Sequence, residues 1–160
     1  MVRVDELTKN LDAARKEQQA EIEAHLKKLH KEIESLNAEL KHASVEGKVA
    51  VEATAKAVRE EYENVRHILT ASLEAELVEW KARIGTAIDA AAEKKASLKT
   101  SIQEKIAEMH SKNDAAEKKM HALKQANAAA YGELQHGVRA AIAELKTAVQ
   151  HARADIASAS

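Results

Sequence analysis

The sequence predicts an all-α protein, an elongated antiparallel helical bundle or coiled coil of three or four long helices. Three observations carry that expectation. The strong helix breakers are nearly absent, with 0 Pro and 4 Gly in 160 residues. Ala, Glu, Lys, Leu and Gln, all good helix formers, make up more than half of the chain. The larger apolar residues recur at helical spacing over most of its length.

The first stripe runs Leu26, Leu29, Ile33, Leu36, Leu40, Ala43. Its steps alternate three and four, the heptad of a left-handed coiled-coil seam. Upstream, Leu7, Leu11, Ala14, Gln18 and Ile22 continue it in steps that are mostly of four. The second stripe runs Val58, Tyr62, Val65, Leu69, Leu73, Leu77, Trp80, Ile84, Ile88, Ala91, Lys95, Leu98, Ile102, Ile106, Met109. The third runs Met120, Leu123, Asn127, Tyr131, Leu134, Val138, Ile142, Leu145, Val149, Ala152, Ile156. Both average close to 3.6 residues per step, so they stay on one side of a straight helix. Asn127 and Lys95 fall on these stripes as polar members. A polar residue inside a packed seam specifies register at a cost in stability, so Asn127→Leu is expected to raise stability.

With so few breakers, turns must come from caps. Ser44 follows Lys41 and His42, whose charge suits a helix C-terminus, and is placed to cap the next helix. Gly85 with Thr86 and Asp89 resembles a stop followed by a capping box. Ser111 or Asn113, and the stretch from Tyr131 and Gly132 to Gly137, complete the candidates. The expectation is one elongated helical domain over 1–160, with helix breaks near 44, 85, 111 and 131. Four helices broken near 44, 85 and 131, or three with a central helix from 45 to 110, both fit. Only 38 apolar residues larger than Ala are available, and ordering the backbone costs ~1–2 kcal/mol per residue. A core that thin calls for further burial by self-association or by a helical partner.

Composition narrows the chemistry. With 0 Cys there is no disulfide, thiolate nucleophile or Cys-ligated metal. No Gly-rich phosphate loop and no motif that positions a nucleophilic serine is present. Two Glu-x-x-His motifs, Glu39 to His42 and Glu133 to His136, have the spacing of a carboxylate-bridged di-metal bundle site. The stripes on the same helices put both histidines on the outer side. No catalytic, cofactor or metal residue is assigned. No apolar run reaches the length of a membrane span, and the first residues lack a secretory pattern, so the expected location is cytoplasmic.

Charge is uneven, −5 over residues 1–80 and +4 over 81–160. Residues 94–124 carry eight Lys, no Arg and no aromatic residue, which disfavours nucleic-acid reading. Lysines beside an Ala, Leu and Ile face do suit an interfacial amphipathic helix. In its near-3.6 stripe the region from about Val58 to Ile156 resembles the exchangeable apolipoprotein A/E class, whose long helices carry near-11-residue periodicity. The resemblance implies reversible lipid-surface binding. That class places Pro between its repeats, which this chain does not, and no functional residue carries over.

The expected function is therefore non-enzymatic. It is structural or interaction work through a homo-oligomer or a helical protein partner, with peripheral lipid contact as the alternative. The residues expected to form the interaction seam are Leu26, Leu29, Ile33, Leu36, Leu40, Leu69, Leu73, Leu77, Trp80, Ile84, Ile88, Ile102, Ile106, Leu134, Val138, Ile142, Leu145 and Val149.

Overall fold

The computed structural model describes residues 2–159, with the backbone alone described for residues 2–5 and Thr8. Among the described residues there are four helices and no strand: α1 (Val2–His42), α2 (Val45–Glu93), α3 (Thr100–Lys124) and α4 (Ala128–Ser158). The chain is all-α, a helical bundle. Its contacts divide it into two compact units, Met1–Leu69 and Thr70–Ser160, with α2 contributing to both.

The first turn is where the sequence puts it. Residues 43 and 44 separate α1 from α2. The Ser44 hydroxyl accepts from the Gly47 amide at 3.3 Å, satisfying one of the orphan donors at the start of α2.

The expected break near 85 is absent. Gly85 and Thr86 lie inside α2, and the Thr86 hydroxyl donates to the Ala82 carbonyl one turn back. A mid-helix glycine costs about 1 kcal/mol, and the burial of Ile84 and Ala87 on either side outweighs it. The expected break near 111 is absent too, because α3 continues through Ser111 and Asn113. A single helix from 45 to 110 is likewise excluded, since α2 ends at Glu93.

The second turn, residues 94–99, was not expected. It is a Schellman motif. The Ala96 amide donates to the Ala91 carbonyl at 2.9 Å and the Lys95 amide to the Ala92 carbonyl at 3.1 Å. Lys95 takes the left-handed position, φ 56, that glycine usually fills. Ala91 and Ala96, which hold the two positions where the motif favours apolar residues, are both buried. Lys95 is therefore exposed in a turn and not a seam member. Leu98, expected on the second stripe, is 85% exposed.

The third turn lies at 125–127, ahead of the expected position near 131. Asn127 caps α4, and its side chain accepts from the Ala130 amide at 3.0 Å. It is exposed and does not pack in the seam. Tyr131, Gly132 and Gly137 are helix interior.

In the first unit, partners pair in opposite order along α1 and the N-terminal half of α2. His25 meets Glu61 and Asn37 meets Arg59, so the two helices run in opposite directions. In the second unit the ion pairs Lys124 with Glu74 and Lys81 with Glu117 give the same reversal between α2 and α3. Thr70 with Tyr131 and Lys94 with Ala157 set α4 parallel to α2. This unit is an up-down-up arrangement of three helices.

Asn127→Leu removes a capping oxygen from an exposed position. The expected result is a loss of about 1 kcal/mol of stability, read by denaturant titration. The seam placement expected from the stripe alone would give a gain.

Candidate functional site in the helical seams

The two units close their seams to different degrees. In the second unit α2 contributes Leu73, Leu77, Trp80 and Ile84, all at 5% exposure or less. From α4 come Val138, Ile142, Leu145 and Val149, and from α3 Ile102, all similarly buried. Small residues are interleaved, Ala116 on α3 and Ala141, Ala148 and Ala152 on α4. They let neighbouring backbones approach and keep the core filled by few large side chains. Of the expected seam members here, Ile88, Ile106 and Leu134 are only half-buried.

In the first unit the seam is thinner. Leu26 and Leu29 on α1 are buried, and Ala55, Tyr62 and Leu69 on α2 are the other buried apolar residues among the described residues of this unit. Ile33, Leu36 and Leu40 are half-buried. Upstream the expectation fails. Leu7 and Leu11 are 58% and 66% exposed, Ala14 and Gln18 are exposed, and Gln19 is the buried residue on that stretch. A heptad read in steps of four drifts around the helix, which moved Gln18 onto the stripe in place of its neighbour.

Polar groups frame the first seam. His25 Nε2 lies 3.1 Å from Glu61 Oε1 across the hairpin. The His30 ring sits 6.4 Å from that of Tyr62, and its Nε2 is 3.1 Å from Glu34. Burial pushes the Tyr62 phenol above its ordinary value, with Arg66 lowering it and Glu63 raising it in smaller measure.

The second unit carries buried polar atoms that the sequence did not reveal. The Tyr131 hydroxyl is matched, 2.8 Å from that of Thr70. Trp80 Nε1, Asn113 Oδ1 and Gln135 Oε1 are buried without a hydrogen-bond partner. The Arg83 guanidinium lies 4.1 Å from the Trp80 ring centroid, and Lys146 Nζ 5.8 Å from it. Asn113 and Gln135 break no periodic pattern, since both sit between ordinary stripe residues. Their signal was phase: each lies three or four residues from a large apolar neighbour, Met109 and Tyr131.

On the surface of this unit, Glu74, Leu77, Val78, Lys81, Glu117, Met120, His121 and Lys124 line an open groove of ≈ 270 Å³ between α2 and α3. Its rims are the two cross-helix ion pairs, so the groove charge is self-compensated. Lys81 donates to Glu117 at 2.8 Å. That bond lowers the Glu117 carboxyl from its ordinary value, against a smaller opposing effect of burial. The same bond raises Lys81.

Neither Glu-x-x-His motif builds a site. Glu39, His42, Glu133 and His136 are all exposed. Among the described residues no group of three or more His, Asp or Glu side chains gathers at metal-binding distance. No helix of the described residues is long and apolar enough to cross a membrane. No protein family, curated protein or solved structure matches the chain. The seams themselves differ in closure, tightly buried in one unit and partly open along α1 in the other.

Two outcomes follow from this geometry. Gln135→Met keeps the side-chain volume and removes an orphaned acceptor. It is expected to raise stability by about 1 kcal/mol, measured by chemical denaturation. Glu117→Gln is expected to lower the melting temperature slightly at neutral pH. A lowered carboxyl contributes stability above the ordinary carboxylate range, and that contribution is lost as pH falls through the folded-state value. The difference between variant and parent should therefore vanish in acid, and salt should shrink it.

Proposed function

We propose that this chain is a non-enzymatic interaction protein that works through helical association, with the α1 stripe as its contact surface. The observation that carries this reading is the contrast in closure. The three-helix unit covers the central seam from Leu73 to Ile84 and from Val138 to Val149 almost completely, with Val78 and Leu98 outside it, whereas α1 leaves Leu7 and Leu11 exposed and Ile33, Leu36 and Leu40 half-covered. Burying a Leu or Ile side chain contributes ~2 kcal/mol, so a helix laid along this stripe gains from each of these positions. A second copy presents the same stripe and satisfies the twofold self-complementarity of an isologous contact.

Binding to lipid through whole helix faces is the second class of reading, and it has less support. The apolar face of α3 is already turned inward at Ile102, Met109, Met120 and Leu123. Several of its lysines are engaged: Lys112 with Glu144, Lys124 with Glu74, and Lys105 near Glu108. Using that face requires the bundle to open first.

Sedimentation equilibrium over a range of micromolar concentrations tests the proposal. The expected result is a reversible dimer or larger oligomer. The double variant Leu7→Ser with Leu11→Ser should weaken it at least tenfold and leave helicity unchanged, because both side chains are exposed in the single chain. A strict 17.5 kDa monomer at every concentration would overturn the reading.

A further inference from the structure

The turn between α2 and α3 gathers features that neither the fold nor the seams require. Leu98 is 85% exposed, and Lys94, Lys95 and Lys99 flank it, all exposed. From Lys94 to Gln103 the chain carries no acid; Glu93, at the end of α2, is the nearest before it. Lys95 holds the left-handed conformation at φ 56, where a glycine would be relaxed. A lysine at that position costs backbone energy that the Schellman motif itself does not demand. One of the three is tied back to the bundle, since Lys94 Nζ donates to the Ala157 carbonyl at 3.2 Å. We propose that this turn is a contact tip for an anionic lipid surface: Leu98 enters the interface while Lys95 and Lys99, with Lys94 behind them, meet the headgroups.

The chemistry selects that partner. Recognition of an acidic peptide motif is characteristically the work of clustered Arg, and residues 94–103 carry none. Nucleic acid is read by Arg and by stacking aromatics, and residues 94–103 contain neither. A projecting apolar side chain ringed by lysines matches a planar, negatively charged surface, where each lysine strengthens binding about five-fold. Contact at the tip leaves the core of the three-helix unit closed, which separates it from binding by opened helix faces.

The chain has 0 Cys, so Thr100→Cys, exposed beside Leu98, takes a single environment-sensitive dye and keeps Leu98 in place, with Ala122→Cys on the exposed side of α3 as the control. The full chain is mixed with vesicles of phosphatidylcholine, with and without phosphatidylserine. The expected result is a blue shift at position 100 on phosphatidylserine vesicles alone, weakened by salt, with no shift at 122. Trp80, the single tryptophan and 2% exposed, should keep its emission. In co-sedimentation, Lys95→Gly should bind about five-fold more weakly while melting at the same or a higher temperature, a split that a structural role does not produce. Leu98→Ser should lose most of the binding, and Leu7→Ser with Leu11→Ser should retain it. Equal binding to neutral vesicles, no shift at position 100, or binding that survives Leu98→Ser would overturn the proposal. A Trp80 shift accompanying binding would also overturn it, by assigning the contact to opened helices. So would polyglutamate that competes as tightly as the vesicles, by assigning it to an acidic protein.

Discussion

Everything in this molecule depends on how many helices share a narrow apolar stripe. With 34 Ala and 38 larger apolar residues, no helix here carries a wide hydrophobic face. A stripe of that width is sealed when two neighbours flank it and only roofed when one does. Residues 70–160 solve this with three helices, and the seam side chains Leu73, Leu77, Ile84, Met109, Val138, Ile142, Leu145 and Val149 reach exposures of a few per cent. Residues 1–69 offer two helices, and the apolar stripe of α1 stays half open beyond Leu26 and Leu29. The same residue types thus yield a closed core in one unit and a contact surface in the other.

The polar pattern fits that division. In the closed unit, ion pairs cross between helices at the surface, and each is worth little by itself at its exposure. Inside, Asn113 and Gln135 each leave an acceptor without a partner. Those atoms lower the stability of the unit, and their positions in the core restrict which helix registers can form. In the open unit the charged and imidazole groups border the seam: His25 with Glu61, Asn37 with Arg59, and His30 against Tyr62. They hold the hairpin together without sealing it.

Much of this was legible in the sequence. The scarcity of breakers and the helical spacing gave the fold class, and the stripes named the core from Leu69 to Ile84 and from Val138 to Val149. Ser44 marked its turn because a capping serine followed a basic helix end. The other turns escaped for stated reasons. At 94–99 the left-handed residue is Lys95, so the glycine that usually signals such a stop is missing. The available cue was Ser97 with Thr100 and Ser101 beside two adjacent lysines. At 125–127 the cap is Asn127, whose spacing also fitted the stripe. Periodicity alone therefore assigns Asn127 to the core, although its side chain serves the helix start. Gly85, Gly132 and Gly137 acted as decoys, because burial of the side chains around them outweighs their propensity. Half-coverage of the α1 seam could not be read at all, since it depends on how many helices surround a stripe and not on the stripe itself.

Native-state hydrogen exchange on the dilute, monomeric chain tests the central claim most directly. If closure sets stability, amides from Leu73 to Ala91 and along α3 and α4 exchange only with global unfolding of their unit. Those of α1 exchange far faster, by local opening, with the most protection around Leu26 and Leu29. Equal protection along α1 and α4 in the monomer would contradict the account, because a half-open two-helix seam would then be as stable as a closed three-helix core.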